Sequence, residues 1–157
     1  MSELVSKVYK LRENAILPSR AHKQDAGADI YYCPSEVVAV EVQPGETVVL
    51  ETGLKVEVPN GYMMQVMNKS GIASKTQLLV GACVVDRGYD GEIFVNLHNV
   101  GKQVQKIEPA QKIAQVIFVR IENPDFYETT EDNVYGITTD RGDGGFGSTG
   151  LEAETGE

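Results

Sequence analysis

The chain has too few cysteines, cations and long apolar stretches for several broad function classes. Its two cysteines, Cys33 and Cys83, lie far apart with no paired-ligand spacing. That argues against a zinc site or a disulfide framework and predicts a reducing, intracellular compartment. No apolar stretch is long enough to span a bilayer. The first ten residues, MSELVSKVYK, alternate apolar and charged side chains instead of forming the unbroken apolar run of a secretory signal. Cations are outnumbered: 14 Lys and Arg against 23 Asp and Glu give a formal charge of −9. Such a field repels polyanions and disfavours general nucleic-acid binding. A small phosphorylated ligand remains compatible with it where cations gather locally or a divalent metal accompanies the phosphates. The chain shows no internal repeat, coiled-coil heptad or low-complexity linker, and helix signals are scarce.

What is present is a period of two, the mark of half-buried strands. Val38, Val40 and Val42 alternate with Ala39 and Glu41, and Leu54, Val56 and Val58 alternate with Lys55 and Glu57; each run ends at a Pro-Gly or Pro-Asn-Gly turn. Ile93, Val95 and Leu97 share one strand face, and residues 113–121 form a longer apolar run expected to be buried on both sides. At 157 residues the chain suits one domain that buries about two-thirds of its unfolded surface. Many short strands with regular turns predict an all-β sandwich or closed barrel. Residues 74–79 are the one expected helical patch, and residues 151–157, LEAETGE, are expected to be a disordered acidic end.

Five segments interrupt the strand pattern with chemistry. In AGADI, Asp29 sits where the chain enters a strand, a place where an aspartate often only caps a turn. In KSG, Lys69, Ser70 and Gly71 combine a cation, a hydroxyl and a glycine as a phosphate cradle does, without the earlier glycine of a P-loop. In GACVVDRGYDG, a buried-looking strand of Val84 and Val85 delivers Asp86 to a turn bounded by Gly88 and Gly91, with Tyr89 at its tip. Asp86 is as readily a turn residue as a carboxylate that deprotonates water. In AQKIAQ, Gln115 stands in an apolar strand and needs hydrogen-bond partners.

The fifth segment is RGDGGFGSTG, residues 141–150. Glycine loses the most entropy on ordering, so a stretch this rich in it is expected to stay mobile until something binds. Arg141 can grip a phosphate with a forked pair of bonds, Phe146 can stack on a base, and Ser148, Thr149 and the glycine amides add donors. A solvated tail is the competing reading. Two G-x-G-x-x-G matches, starting at Gly142 and at Gly145, lack the βαβ context of a dinucleotide fingerprint. The Arg141-Gly142-Asp143 tripeptide lacks a secretory context, and His22 and His98 have no catalytic neighbourhood in the sequence.

In order and spacing, AGADI, KSG, GACVVDRGYDG, AQKIAQ and RGDGGFGSTG resemble the motifs of the trimeric dUTPases, from Ala26 to Gly150. The resemblance implies a jelly-roll-like β-barrel over residues 1–135 and a flexible glycine-rich C-terminal arm with an acidic end over 136–157. It implies a homotrimer with sites between subunits and arm exchange. It also implies magnesium-assisted hydrolysis of dUTP to dUMP and pyrophosphate, which keeps uracil out of DNA and supplies dUMP for thymidylate synthesis.

By position, Asp86 resembles the carboxylate that activates the water attacking the α-phosphorus. Tyr89 resembles the ring packed under deoxyribose, a filter against a 2′-hydroxyl. The backbone of Gly81, Ala82 and Cys83, with the returning strand near Phe94, would read uracil and reject cytosine. Lys69, Ser70, Gly71 and Gln115 match phosphate-contacting positions. Arg141 would engage the terminal phosphate, Phe146 would stack on uracil, and Gly147, Ser148 and Thr149 would complete the phosphate contacts. Asp29 matches a motif residue of the magnesium environment or the arm's arginine. An indirect role suits it better than ligation, because magnesium keeps several waters and is held mainly by substrate phosphates.

Three positions depart from the family pattern. Lys69 replaces the usual arginine, exchanging a planar fork for a compact charge. Cys83 replaces a small residue, often glycine, and Asp90 follows Tyr89 where arginine or another polar residue is common. The rival readings are a dCTP deaminase of the same fold and a non-catalytic, nucleotide-responsive protein-binding module. The first needs a glutamate placed to activate water at the base, and the second an inserted segment.

Overall fold

The computed structural model describes residues 4–137 and 139–144. In chain order the elements are β1 (Val8–Lys10), β2 (Ala28–Tyr31), β3 (Val40–Val42), β4 (Thr47–Glu51), β5 (Leu54–Val56), β6 (Tyr62–Met67), α1 (Ser70–Thr76), β7 (Leu78–Val80), β8 (Val84–Val85), β9 (Phe94–Asn99), β10 (Gln105–Ile107), β11 (Lys112–Arg120) and α2 (Glu131–Tyr135). They divide into two compact units, residues 1–122 and 123–157.

The first unit is mostly β, as the period of two predicts. Its strands pair antiparallel in four sheets, ordered β1-β5, β10-β3, β2-β11-β6-β8 and β4-β9-β7. The inward residues of these strands form one core: Ile30, Leu50, Leu54, Met64, Ile93, Val95, Leu97, Ile107 and Ile113 are each at most 2% exposed. Burying an aliphatic side chain of this size contributes about 1.5–3 kcal/mol. The alternation of Ile93, Val95 and Leu97 therefore marks one buried face, as expected.

Other expectations are corrected. No closed barrel forms among the described residues. The ladders stop at the edge strands β2 and β8 of one sheet and β4 and β7 of the other, and closure requires the last ladder to return to the first strand. The helical patch runs over Ser70–Thr76, not 74–79. Gln77 takes a left-handed φ of 56° that ends the helix, and Leu78 and Leu79 belong to β7. Val38 lies outside β3 and is exposed. Residues 84–85 are not buried: Val84 is exposed and Val85 only half-buried, because β8 pairs with β6 alone at the sheet edge. In β11 the core takes Ile113, Ala114 and Val116, whereas Ile117, Phe118 and Val119 are half-buried.

The second unit holds α2, which the alternation pattern did not predict. Its signals are local: Thr130 precedes it, Glu131 and Asp132 occupy the first turn where the helix dipole favours anions, and Gly136 ends it with a φ of 65°. Among the described residues no helix is long and apolar enough to cross a membrane.

One polar network anchors the hairpin between β8 and β9. The Arg12 guanidinium donates to both carboxylate oxygens of Glu92 at 2.7–3.0 Å, and Glu92 also accepts the Gly53 N–H at 2.7 Å. Both side chains are mostly out of solvent, so the forked pair outweighs an ordinary surface ion pair. Arg12→Met is expected to lower the unfolding free energy by about 2 kcal/mol in urea titrations. A change within about 0.5 kcal/mol would show that the network carries no stability.

Candidate functional site

The first cluster forms on the sheet β2-β11-β6. Asp29 pairs in register with Gln115 and Gln115 with Met67, so the three share one face. A β-bulge at Ile113 shifts the register between Lys112 and Ala114 and brings Lys112 opposite Tyr31 on that same face. Asp29 is not a turn cap. It lies within β2, is 3% exposed, and meets two ammonium groups, Lys69 Nζ at 2.6 Å from Oδ1 and Lys112 Nζ at 2.6 Å from Oδ2. The Lys112 contact is an ion pair without hydrogen-bond alignment, so Oδ2 has charge compensation but no directed donor. Burial pushes the Asp29 carboxyl up, but the two ammonium groups of Lys112 and Lys69 against it outweigh burial and hold its pKa below the ordinary value. The same pairing raises the pKa of Lys112.

A cleft of about 310 Å³ opens here, lined by Asp29, Lys69, Gln115 and Gly27 among others. Its charged lining is Lys69 with Asp29 and Asp25, and Lys112 reaches Asp29 beside it, so two ammoniums stand against two carboxylates. Gln115 is half-buried and donates from Nε2 to the Asn68 carbonyl at 2.9 Å, the partner its polarity requires. Gly27 leaves room beside it, since a Cβ there would overlap the Gln115 carboxamide and displace it. Ser70 and Gly71 are exposed in the first turn of α1, where amides have no intrahelical partner.

The second cluster is the hairpin between β8 and β9. Asp86, Tyr89 and Phe94 line a cleft of about 190 Å³ with Glu92 and Ile93. Asp86 is exposed at its mouth, and the Tyr89 N–H closes a turn onto the Asp86 carbonyl at 3.1 Å. The Tyr89 hydroxyl donates to the Glu92 carbonyl at 2.8 Å, folding the ring over the hairpin's own backbone. A Cβ at Gly91 would overlap the Tyr89 ring, so a side chain there would displace that ring from its place over the hairpin. Asp90 points outward to an ion pair with Lys55 at 3.2 Å.

Upstream, the Gly81 N–H donates to the Asn96 carbonyl at 2.9 Å, and the Ala82 N–H to Asn96 Oδ1 at 3.3 Å. The Cys83 carbonyl accepts from Val66 N–H at 2.8 Å. Among the described residues this leaves the Cys83 N–H and the carbonyls of Gly81 and Ala82 without partners.

The structure thus gathers Asp29, Lys69 and Gln115 in one cleft and Asp86, Tyr89 and Phe94 in another, and the two share no lining residue. Arg141 lies in the second unit, where its Nε donates to the Gly144 carbonyl at 2.9 Å. Phe146, Gly147, Ser148 and Thr149 lie outside the described residues. Sequence reasoning missed Lys112, whose position depends on the bulge. It also missed Asn68 and Asn96, which bond the backbone of other segments. Asn68 Oδ1 accepts the Val80 N–H at 2.7 Å. No sequence signal distinguishes these asparagines from ordinary turn or strand residues.

A family model described as dUTPase matches residues 13–150. The deoxyuridine 5'-triphosphate nucleotidohydrolase of Chlamydia trachomatis serovar L2 is 39% identical over 143 residues, spanning 90% of this chain and 95% of that protein. That of Clostridioides difficile is 40% identical over 147 residues, spanning 92% and 97%. Among solved structures, a mutant dUTPase of Staphylococcus bacteriophage 80alpha with dUpNHpp superposes with a TM-score of 0.82 at 28% identity, over 94% of this chain and 99% of that one. A mutant dUTPase from phage phi11 of S. aureus, described with a coordinated structural Mg(II) ion, gives a TM-score of 0.73 at 28% identity, over 82% and 98%.

The depressed Asp29 pKa predicts an acid dependence of stability. Its contribution is fully present above the unfolded-state value of about 3.9 and is lost as pH falls through the lower native value. In urea titrations the advantage of the wild type over Asp29→Asn is therefore expected to be constant near neutrality and to shrink below about pH 4. A gap that stays constant down to about pH 2 would contradict a charged Asp29 as its source.

Proposed function

The chain belongs to the dUTPase family and is an enzyme that hydrolyses dUTP to dUMP and pyrophosphate, and we propose that Asp86 is its general base. The single observation that carries this assignment is the exposed Asp86 carboxylate at the mouth of a cleft shared with Tyr89 and Phe94. Asp86 takes a proton from water as the water oxygen attacks the α-phosphorus. The bond from that phosphorus to the bridging oxygen breaks, and pyrophosphate leaves with the electron pair. Positioned base catalysis of this kind supplies typically 10²- to 10⁴-fold in rate.

The ring of Tyr89, pinned by Glu92 and given room by Gly91, packs under deoxyribose and excludes a 2′-hydroxyl. Uracil pairs with residues 81–83: the free Cys83 N–H donates to a base carbonyl, and a carbonyl of Gly81 or Ala82 accepts the base N–H. Cytosine, whose ring nitrogen is an acceptor at that point, leaves such groups unpaired. Phosphates lie over Lys69, Ser70, Gly71 and Gln115, where Lys69 offers a point charge in place of an arginine fork.

The two clefts share no lining residue, which supports a site composed from different subunits of a homotrimer. In this reading the arm beyond residue 136 closes a site with Arg141 on the terminal phosphate, Phe146 on the base, and Gly147, Ser148 and Thr149 on the phosphates.

A divalent metal serves the reaction, and magnesium is the ion we assign. Both Asp29 oxygens face lysine ammoniums, and among the described residues no three His, Cys, Asp or Glu side chains gather as a metal cage. The protein's own donors therefore do not fit direct ligation at Asp29, and substrate phosphate oxygens would hold the ion, which would neutralise charge on the phosphates. Asp29 holds Lys69 and Lys112 in place.

Asp86→Asn is expected to keep dUTP binding and lose at least about 100-fold in kcat. A near-normal rate would remove Asp86 from the chemistry. Truncation before Arg141 is expected to leave a folded oligomer with strongly reduced activity; unchanged kinetics would remove the arm from the site. With dUTP, dCTP, dTTP and UTP supplied separately with magnesium, pyrophosphate is expected from dUTP alone. Ammonia from dCTP with dUTP left intact would establish the deaminase instead.

A further inference from the structure

The Tyr89 ring is held from its hydroxyl end. It is 47% exposed and rests on Gly91, where a Cβ would overlap it. It borders two clefts, that of Asp86 and one of about 430 Å³ shared with Tyr9, Lys55 and Arg87. Packing therefore leaves the ring room to swing, and among the described residues its side chain makes one hydrogen bond, from the hydroxyl to the Glu92 carbonyl at 2.8 Å. The acceptor of that bond is fixed from its other side. The same peptide group donates through the Ile93 N–H to the Leu54 carbonyl at 2.8 Å, and the Ile93 carbonyl accepts the buried Thr52 hydroxyl at 2.6 Å. The Glu92 carboxylate takes the Gly53 N–H and the forked Arg12 guanidinium. Thr52, Gly53 and Leu54, at the turn from β4 to β5, thus join Arg12 in clamping residues 92–93, and Tyr89 is tied to that clamp.

We propose that Glu92 is a positioning residue for sugar selection: its clamped carboxylate fixes the carbonyl that holds the Tyr89 ring where a 2′-hydroxyl would fall. This inference rests on the reading that Tyr89 packs under deoxyribose. A ribose differs there by one oxygen atom. A ring free to shift into the cleft beside it makes room for that atom, whereas a ring tied to a fixed carbonyl does not. Rejection of ribose therefore depends on how firmly the wall is held as well as on its presence. The substrate dUTP fits either arrangement, so losing the tether lowers the penalty on UTP more than it weakens dUTP.

The test compares wild type, Glu92→Gln, Glu92→Leu, Tyr89→Phe and Tyr89→Ala, each checked for folding by its thermal midpoint. UTP is measured as a competitive inhibitor of dUTP hydrolysis, so the ratio of its Ki to the KM for dUTP reads sugar discrimination even without turnover of UTP. In Glu92→Gln, Oε1 still accepts from Gly53 and Arg12, and most of the wild-type ratio is expected to remain. The ratio is expected to fall about 10-fold in Glu92→Leu and in Tyr89→Phe, which keeps the ring but loses its tether, and at least as far in Tyr89→Ala. Carbon-13 relaxation in the nucleotide-free protein is expected to show an ordered Tyr89 ring in wild type and Glu92→Gln, and a freer one in Glu92→Leu. A general structural defect would instead weaken both nucleotides together and leave the ratio unchanged.

An unchanged ratio in Glu92→Leu, alongside a fall in Tyr89→Ala, overturns the role of Glu92. An unchanged ratio in Tyr89→Ala overturns the sugar filter itself. If Glu92→Leu does not fold, an unchanged ratio in Tyr89→Phe overturns the proposal, because the ring then needs no tether.

Discussion

The pairing of β11 with β2 on one side and β6 on the other is the constraint on which the first cluster depends. It places a carboxylate in a setting that is 3% exposed, where an uncompensated charge would cost several kcal/mol. Asp29 is tolerable there because Lys69, at the start of α1, and Lys112, at the start of β11, both reach it. The bulge at Ile113 makes this possible, since in an unbroken register Lys112 would face away from Asp29. One irregular residue therefore ties three segments, far apart in the chain, into a single ionic cluster. Gly27 contributes by leaving the space that Gln115 fills.

The hairpin between β8 and β9 is governed by a different kind of restraint. Its strand β8 is two residues long and half-exposed, so core packing cannot hold it. Polar contacts take over. Arg12 and the Gly53 amide fix Glu92, Glu92 accepts the Tyr89 hydroxyl through its carbonyl, and Asn96 seats residues 81–83. These directional bonds, from outside the hairpin and within its loop, hold the hairpin and the Tyr89 ring without burying them. A group that must meet water and substrate has to remain accessible, and this arrangement satisfies both demands.

Much of this is legible in the sequence. Alternation of Ile93, Val95 and Leu97 marks a strand face that is indeed buried, and the Pro-Gly and Pro-Asn-Gly turns separate the right strands. The five motif segments point to the family, which the family model and the relatives bear out. Other features were misread for identifiable reasons. Residues 74–79 have helical composition, but Gln77 takes a left-handed φ and Leu78 pairs with Asn99 in β9. Val84 and Val85 are apolar enough for a core yet lie at a sheet edge. Among the described residues the expected closed barrel is not formed, because closure depends on how edge strands meet and strand composition does not encode that.

The sequence by itself determined the class of structure, the family and the candidate chemistry, because these follow from residue types at fixed local spacings. Tertiary structure alone decided which groups meet. Asp29 looked like a turn cap and is a buried counter-ion; Lys112 and Asn96 looked ordinary and hold parts of the site in place. The physical reason is register. A one-residue bulge changes the face on which a side chain lies, and a carboxamide can extend a ladder only where the neighbouring strand leaves it. Both are relations between segments distant in sequence, set by hydrogen-bond pairing and by the space a glycine leaves open, and no local pattern specifies them.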